Sequence, residues 1–488
     1  MQFFKTISFV EGESKTLTIS FNDKEEDLYS SLSVLSSNDI RNLIGVNSLK
    51  ELSELAYTEH RTLSQQAKYL ASDAIKRKKI LPAEVTFKAG KNDPFQRWYP
   101  YIEGYSPSFV KTLIETNNIS DTLVYEPFAG TGTTVFAADS MGLDTVYSEI
   151  NPLLRSLISA KIEVQSLPIE KRKCLAIDFL RAYENVMSSL GPVDSNLMKA
   201  YRNVFGKSKY FDDEVLKNIL QLSYRIREQE DPLVRSLLNI AVCAVLVPVS
   251  YLKKQGDLRF KTSKERETEV KYISDILPIK ITEIYEDILN FDYKLSASHK
   301  CISPNAKAIG RADISDIGAV ITSPPYLNGT NYIRNTKLEL WFLGHLKTDA
   351  DLRILRDEIL TSGINDVKSS YREAYSICES SPLLNSVITE LKENAYDKRI
   401  PLMAACYFSE MMQVFSGLAS KLKNGARILI DLGDSIFCDI HIPTDKILIE
   451  LLETLDYNLE SNQVLRTRRS RNGSVLSQFL ITLKYIKA

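Results

Sequence analysis

Hydrophobic and polar residues alternate with different periods in different parts of the chain, and these changes divide it into segments. Near the N terminus, FFKTISF and TLTISF alternate as the two strands of a hairpin do, and helical periodicity follows. Residues 1–90 are therefore predicted to form an α+β extension. From 93 to 165 an apolar strand, a glycine turn, a helix and a second apolar strand follow one another. This order predicts a βαβ unit with a right-handed crossover and parallel strands.

Strand periodicity returns twice further along the chain. It reappears at residues 301–335, in AKAIGRADI and GAVITSPPY, and again at 402–488, where helices and strands alternate. The intervening residues, 166–300 and 336–400, are mostly helical in period. The predicted fold class is therefore α/β: a Rossmann-like sheet built from three separated pieces of chain, with two helical insertions and the N-terminal extension.

Composition limits the kinds of partner and site that the chain is expected to have. The 488 residues carry a net charge of -1, so any nucleic-acid contact has to come from local basic patches. The six cysteines and four histidines are scattered without a C-x-x-C pair, which argues against a metal site. The start does not resemble a signal peptide, and no apolar run is expected to approach membrane-spanning length. A cytoplasmic protein without a membrane partner is expected.

The glycine turn EPFAGTGTT, residues 126–134, follows the first strand of the βαβ unit, where a doubly wound sheet places its nucleotide loop. Gly130 and Gly132 would let a ligand approach the backbone, although a structural turn also explains a G-x-G. No Lys follows as in a P-loop, and the third glycine of a dinucleotide fingerprint is missing. Glu149, at the end of the next strand, is placed to accept both hydroxyls of a ribose. The pattern favours a nucleoside without a pyrophosphate.

Two consecutive prolines end a later strand, in ITSPPYLNG, residues 321–329. Proline fixes φ and cannot donate to a β-ladder, so the chain leaves this strand in a stiff, extended turn. Ser323 stands before the prolines and Tyr326 after them. Taken alone, the motif indicates either an ordinary loop or a rigid catalytic loop.

Together the two motifs resemble those of the S-adenosylmethionine-dependent amino-methyltransferases of DNA. In that family F-x-G-x-G is the cofactor loop and S/D/N-P-P-Y/F/W is the catalytic loop. The form that begins with Ser is typical of enzymes that methylate the exocyclic amino group (N4) of cytosine, whereas Asp or Asn favours adenine. DPFQRWYPYIEGYSPSFVKTLIE resembles a further cofactor element, and GRADI resembles the segment whose acid contacts the adenine amino group.

The resemblance implies a methyltransferase sheet with S-adenosylmethionine as the cofactor. The residues that would hold it are Trp98, Tyr105, Ser106, Glu126, Pro127, Phe128, Gly130, Gly132, Thr133, Glu149, Ile150, Asp313 and Ile314.

The resemblance also implies how the catalytic loop would act. The Ser323 side chain and the Pro324 carbonyl would accept hydrogen bonds from the target amino group, and Pro325 would help to keep the loop rigid. Tyr326 would stack on the base. No Pro-Cys pair occurs in the chain, which argues against methylation at cytosine carbon 5 through a cysteine adduct.

Double-stranded DNA is the expected partner, and the target base would be flipped out of the duplex into the pocket. Basic residues beside the catalytic loop and between the last two strands are predicted to hold phosphates. These residues are Arg334, Lys337, Arg466, Arg468, Arg469 and Arg471, the last four in a predicted loop. The 166–300 insertion is the candidate for reading the target sequence.

The expected function is site-specific cytosine-N4 methylation of DNA in a restriction-modification or related defence system. A restriction endonuclease or another defence subunit is the candidate partner. Methylation of adenine N6 in DNA, or of a base in RNA, uses similar chemistry and stays an alternative. A catalytically silent nucleic-acid-binding scaffold is the alternative from another class.

Overall fold

The computed structural model describes residues 3–9, 15–21, 85–101, 104–188, 191–255, 257–269, 271–327, 332–367, 369–469 and 473–487. The chain divides into two compact units, Met1–Lys79 and Ile80–Ala488. In the first unit, β1 (Phe3–Phe9) pairs antiparallel with β2 (Lys15–Phe21), which is the hairpin that the alternation predicts. The helices predicted to follow it lie outside the described residues.

The second unit contains eleven further strands in its described part. They are β3 (Leu123–Glu126), β4 (Thr145–Ser148), β5 (Leu252–Gln255), β6 (Asp257–Phe260), β7 (His299–Ser303), β8 (Ile317–Thr322), β9 (Leu422–Gly433), β10 (Ser435–Phe437), β11 (Ile440–Ile442), β12 (Tyr457–Arg469) and β13 (Val475–Tyr485). Seven of these form one sheet with the order β12-β13-β9-β8-β3-β4-β7, while β5–β6 and β10–β11 are separate hairpins. In this sheet β13 runs opposite to both of its neighbours, and the other six strands run in one direction. The mostly parallel sheet confirms the predicted α/β fold class.

Helices connect and cover the strands. The α-helices of the described residues are α1 (Pro107–Thr116), α2 (Thr133–Asp139), α3 (Pro152–Ser166), α4 (Ile169–Ser188), α5 (Ser195–Phe205), α6 (Asp213–Arg227), α7 (Pro232–Val249), α8 (Ser263–Thr268), α9 (Ile273–Asn290), α10 (Tyr332–Asn335), α11 (Lys337–Phe342), α12 (Asp349–Glu358), α13 (Pro382–Asn394), α14 (Arg399–Ala419) and α15 (Thr444–Glu453). Segments of 3-10 helix lie at Phe87–Ala89, Gln96–Trp98, Ala306–Arg311, Ile364–Asp366 and Ser369–Ser380.

The sheet is covered on both faces because successive residues of a strand point to opposite sides. On β3, Val124 packs into a core with α1 and α2, whereas its neighbour Tyr125 packs into a core with α13, α14 and α15. On β8, Ala319 and Val320 divide between the same two cores. Both faces are therefore buried, which explains the nearly continuous apolar runs of these strands.

A third core belongs to the helical insertion. Helices α4 to α7 and α9 pack with α3 and α11 around it. Helix α7 has a mean hydropathy of 1.9 over 18 residues and is long and apolar enough to cross a membrane. The expectation that no run reaches that length was therefore wrong. Because 67% of this helix is buried inside the protein, the run is explained as a core helix.

The order of the parallel strands places four loops side by side. The carboxyl ends of β8, β3, β4 and β7 are adjacent in the sheet, and they lead into Ser323, Pro127, Glu149 and Pro304. Open α/β sheets bind ligands at this edge. The loops that carry both sequence motifs therefore share the edge where a ligand site is expected.

Candidate active site

The glycine turn is fixed by the acid at the end of the neighbouring strand. Glu149 accepts hydrogen bonds from the backbone N–H of Gly130 at 2.7 Å and of Asn151 at 2.8 Å, one on each carboxylate oxygen. Gly130 and Gly132 have φ of 55° and 85°, in the left-handed region that favours glycine. A Cβ on Gly132 would also lie 2.9 Å from the ring of Phe136. The turn therefore needs both glycines for its backbone path, and Glu149 holds it against β4.

Glu149 is 7% exposed, and burial raises its pKa to about 7, although the two backbone N–H groups act in the opposite direction. A carboxyl oxygen can accept more than one hydrogen bond, so both oxygens retain acceptor capacity. This acid can therefore receive hydroxyl groups from a ligand.

Glu126, the other acid of the turn, lies beneath the site and is 2% exposed. One oxygen accepts hydrogen bonds from the Tyr105 and Thr134 hydroxyls at 2.5 and 2.8 Å. The other accepts the Phe128 N–H at 3.0 Å and the Thr322 hydroxyl at 2.5 Å. Burial raises the pKa of Glu126, and these hydrogen bonds oppose the shift. The carboxyl connects the glycine turn to the strand that carries the catalytic loop.

A cavity of about 750 Å³, open to solvent, runs along the four loops. The turn and the strand ends line it with Pro127, Phe128, Gly130, Glu149, Ile150 and Asn151. The catalytic loop contributes Ser323 and Pro325, and the segment after β7 contributes residues 304–307. The two motifs found in the sequence therefore open into one space.

Behind the catalytic loop, Asp431 on β9 is 3% exposed and accepts hydrogen bonds from Ser323, Tyr326 and Gln478. The Gln478 amide nitrogen donates to Asp431 at 2.6 Å and to the Tyr326 hydroxyl at 2.9 Å. Burial raises the pKa of Asp431 to about 6, and the hydrogen bonds act in the opposite direction. Because the Ser323 hydroxyl donates to Asp431, its oxygen lone pairs are left to accept from a substrate.

Sequence reasoning missed Asp431 and Gln478. The available signal was an acid inside the apolar strand ARILIDLG, since a buried carboxylate needs polar partners. Sequence reasoning also missed Tyr101 and Asn151, both of which line the cavity.

The predicted cofactor residues divide into three groups. Pro127, Phe128, Gly130, Glu149 and Ile150 line the cavity. Tyr105, Glu126, Gly132 and Thr133 are buried in or beneath the turn. Four residues lie outside both the cavity lining and the glycine turn: Trp98, Ser106, Asp313 and Ile314.

The four residues outside the site have identifiable positions. Trp98 is fully buried, and its indole N–H donates to Asp287 at 2.9 Å. Ser106 caps the first turn of α1 through the N–H of Phe109. Asp313 is exposed, and Ile314 packs against the core of α13 to α15. At the end of β7, Asn305 lines the cavity instead of Asp313.

The basic residues predicted to hold phosphates are in different environments. Lys337 donates to the Tyr210 hydroxyl at 2.7 Å and lies 4.1 Å from the centre of that ring, so its ammonium group is used within the fold. Arg466 donates to Gln478 at 2.5 Å. Arg334, Arg468 and Arg469 are exposed.

The predicted arginine loop is partly strand. Strand β12 continues through Arg469 and pairs with β13 as far as Val475, so Arg466, Arg468 and Arg469 lie on the strand. Arg471 lies outside the described residues. A long hairpin therefore presents three exposed arginines near the turn that joins its strands, of which Arg466 donates to Gln478.

No protein-family model matches the chain. The chain is 28% identical over 418 residues to the type II methyltransferase M.AvaI of Nostoc sp., an alignment that covers 80% of this chain and 84% of that protein. It is 23% identical over 444 residues to the type II methyltransferase M.BsoBI of Geobacillus stearothermophilus, which covers 81% and 85%. These aligned lengths exceed the three sheet segments together, so the similarity includes helical insertions. The predicted methyltransferase resemblance is confirmed.

Among solved structures, a SAM-dependent methyltransferase of Methanosarcina mazei aligns with 77% of this chain and 98% of its own. The TM-score is 0.27 and the identity is 9%, so no conclusion about this chain follows from the alignment.

Proposed function

We propose that this chain, a homologue of type II methyltransferases over four-fifths of its length, transfers a methyl group from S-adenosylmethionine to the N4 amino group of cytosine in DNA. The observation that carries the proposal is the cavity shared by Glu149, Ser323 and Pro325. A cofactor bound at the glycine turn and a base held by the catalytic loop would meet in it.

The residues of the cavity fit an adenosine-containing cofactor, and the homologues support S-adenosylmethionine. Glu149 offers two acceptor oxygens to a pair of ribose hydroxyls, while Phe128, Ile150 and Leu154 supply apolar surface. The lysine in the lining, Lys307, lies 3.5 Å from Glu410 and donates to a backbone carbonyl, so a pyrophosphate has no free cation there. When bound, S-adenosylmethionine supplies an electrophilic methyl group.

The catalytic loop orients the amino group that receives the methyl. The lone pair of an exocyclic amino group is delocalised into the ring, so it has to be turned toward the methyl carbon. Ser323 Oγ and the Pro324 carbonyl can accept hydrogen bonds from the two N–H groups of the amino group. Asp431 accepts the hydroxyl hydrogen of Ser323, so this hydrogen points away from the substrate. Such preorganised dipoles stabilise the transition state without reorganisation.

In this proposal Tyr326 contacts the flipped base; it directly follows Pro325, and only Ser323 and Pro325 of the motif line the cavity. Its ring lies against the backbone of Gly433, where a Cβ would come within 3.1 Å, and its hydroxyl accepts from Gln478. Base stacking on an aromatic ring contributes about 1 to 3 kcal/mol. Arg468 and Arg469 would hold phosphates of the duplex from which the base is flipped.

The type II names of the homologues support a role in restriction-modification, with an endonuclease as the partner. Ser323 before the two prolines favours cytosine N4 over adenine N6. The helical insertion at 166–300 is our candidate for reading the target sequence.

The test is single-turnover transfer of labelled methyl from S-adenosylmethionine to duplex DNA, followed by nucleoside analysis. We expect N4-methylcytosine, and from Ser323→Ala a rate lower by about a hundredfold with unchanged cofactor affinity. N6-methyladenine would overturn the cytosine assignment. Transfer of label to RNA but not to DNA, in a parallel assay with RNA as the substrate, would overturn the DNA assignment. A chain that binds DNA but neither binds S-adenosylmethionine nor transfers methyl would be a scaffold.

A further inference from the structure

The second helical insertion contributes a wall to the cavity, and nothing above assigns it a function. Glu358, Ile359 and Leu360 line the cavity together with Asn305 and Lys307. They are the last residue of α12 and the two residues after it, in the part of the chain between the catalytic loop and β9. We call residues 358–361 the strap.

Side chains from two other elements hold the strap by its backbone. Asn305 donates its amide N–H to the carbonyl of Glu358 at 3.3 Å, and Lys307 donates to the carbonyl of Ile359 at 3.1 Å. Glu410 on α14 accepts the backbone N–H of Thr361 at 2.5 Å and lies 3.5 Å from Lys307. Three backbone positions of the strap, those of residues 358, 359 and 361, are thus fixed by the segment after β7 and by α14.

The Lys307–Glu410 pair is mostly shielded from water, with the two side chains 14% and 15% exposed. Hydrogen bonds that involve charged groups contribute more than neutral ones, and removing one partner of a shielded pair leaves the other unpaired. Lys307 is therefore the side chain that joins the strap to the cavity-lining segment after β7.

Adjacent side chains of the strap enter different cores. Ile359, 7% exposed, packs into the core of the helical insertion, whereas Leu360, 5% exposed, packs into the core of α13 to α15. Displacing the strap would disturb both close-packed interiors. This makes the strap a fixed wall of the cavity.

The strand order indicates which end of the cavity this wall closes. The catalytic loop follows β8, the glycine turn follows β3, Glu149 follows β4, and Asn305 follows β7. A ligand whose ribose lies at Glu149 and whose reactive group points to Ser323 has its base at the end of β7. This step rests on the proposed function.

We propose that the strap is the wall against which the base of the cofactor packs, and that Lys307 determines the affinity for the nucleoside by holding the strap in place. The base end combines apolar side chains, Ile150 and Ile359, with the polar edge of Asn305. A purine has apolar faces and a polar edge, and this lining matches both.

The first experiment measures adenosine binding to the full chain by calorimetry. Lys307→Met removes the donor to the strap, and Glu410→Gln removes the charge that pairs with Lys307; we expect each to weaken binding by about tenfold. Lys421→Met is the matched control, because Lys421 also donates to a backbone carbonyl, that of Ala312, at 2.8 Å but does not line the cavity. Equal thermal unfolding of the variants establishes that they are folded.

The second experiment tests the contact with the base and does not depend on how Lys307 substitutions fold. Adenosine analogues enlarged at C2, N6 or C8 are titrated against the parent chain and Ile359→Ala. We expect at least one enlarged analogue to gain affinity relative to adenosine by about tenfold, since the variant removes a wall of the pocket. If affinity for adenosine and for all analogues changes by the same factor, the strap does not contact the base.

The outcomes separate this inference from the proposed function. A parent chain that binds neither adenosine nor S-adenosylmethionine overturns the cofactor assignment itself. A parent chain that binds both, with adenosine affinity unchanged in Lys307→Met and Glu410→Gln, overturns only the role of Lys307 and the strap.

Discussion

The Thr322 hydroxyl at the end of β8 donates a hydrogen bond of 2.5 Å to Glu126 at the end of β3, beneath the cavity. This contact joins the strand of the catalytic loop to the strand of the glycine turn. Because Glu126 also holds Tyr105, Thr134 and the Phe128 N–H, one buried carboxyl connects four segments. The relative position of the two loops is therefore fixed from within the core.

Replacing Thr322 with Val keeps the shape of the side chain and removes this donor. We expect the free energy of unfolding to fall by about 1 to 3 kcal/mol, because the buried carboxyl loses a partner. Urea denaturation measures the change. Thr389→Val is the control, since the exposed Thr389 hydroxyl donates only to its own helix. Equal losses in both variants would contradict the special role of the Thr322–Glu126 contact.

Glu149 predicts a pH dependence of ligand binding. Burial raises its pKa to about 7, so the folded protein keeps a proton that the unfolded chain loses nearer pH 4.5. Its contribution to stability therefore falls as pH rises from about 4.5 to 7 and is constant above. Ribose hydroxyls donate hydrogen bonds more favourably to the carboxylate of Glu149 than to its protonated form. Adenosine affinity should therefore rise as pH increases through 7, and binding below that pH should release the proton of Glu149.

Calorimetry in buffers of different ionisation enthalpy measures the number of protons released when adenosine binds. Adenosine is the suitable ligand because it carries the ribose without the ionisable amino acid part of the cofactor. Glu149→Ala should weaken binding by about 1 to 3 kcal/mol and abolish the pH dependence. A dependence that survives in Glu149→Ala would have to come from another group.

Local patterns predicted the βαβ unit and the two motif loops correctly, because glycine, proline and apolar periodicity act over a few residues. The base end of the cavity could not be predicted in this way. GRADI offered Asp313, but this residue is exposed, and Asn305, two residues after the end of β7, lines the cavity. The surroundings of Trp98 were equally hidden from the sequence, since only the packing of α9 shows that its indole N–H is bound to Asp287. Contacts between distant segments decided each of these positions.

The exposed arginines of β12 predict a salt-dependent DNA interaction. Replacing Arg468 and Arg469 with Ala should weaken binding to all DNA sequences similarly and flatten the salt dependence by about one unit per lost contact. Arg353 and Arg399, 73% and 51% exposed on helices outside the 166–300 insertion, provide a matched double-Ala control. A loss confined to one base position, with the salt slope unaltered, would assign these arginines to base reading instead.

Asp431 predicts a separate pH dependence in the transfer step. Its pKa is raised to about 6, chiefly by burial, and Arg466, Gln478, Ser323 and Tyr326 are the groups that lower it. The carboxylate accepts hydrogen bonds from Ser323, Tyr326 and Gln478, whereas protonation turns one of its oxygens into a donor. Protonation therefore weakens the hold on a loop hydroxyl and its fixed orientation. The rate of transfer at saturating cofactor should therefore rise as pH increases through about 6.

Asp431→Asn tests this directly, because it keeps the shape of the side chain and removes the titration. We expect transfer to slow by about a hundredfold, the usual effect of one lost preorganised hydrogen bond, and the rise near pH 6 to disappear. Cofactor affinity should be unchanged, since Asp431 does not line the cavity. Single-turnover transfer at saturating cofactor between pH 5 and 8 isolates Asp431 from the titration of Glu149, which acts on binding. An Asp431→Asn variant that transfers at the parent rate, or that keeps the rise near pH 6, would show that Ser323 is oriented by some other group.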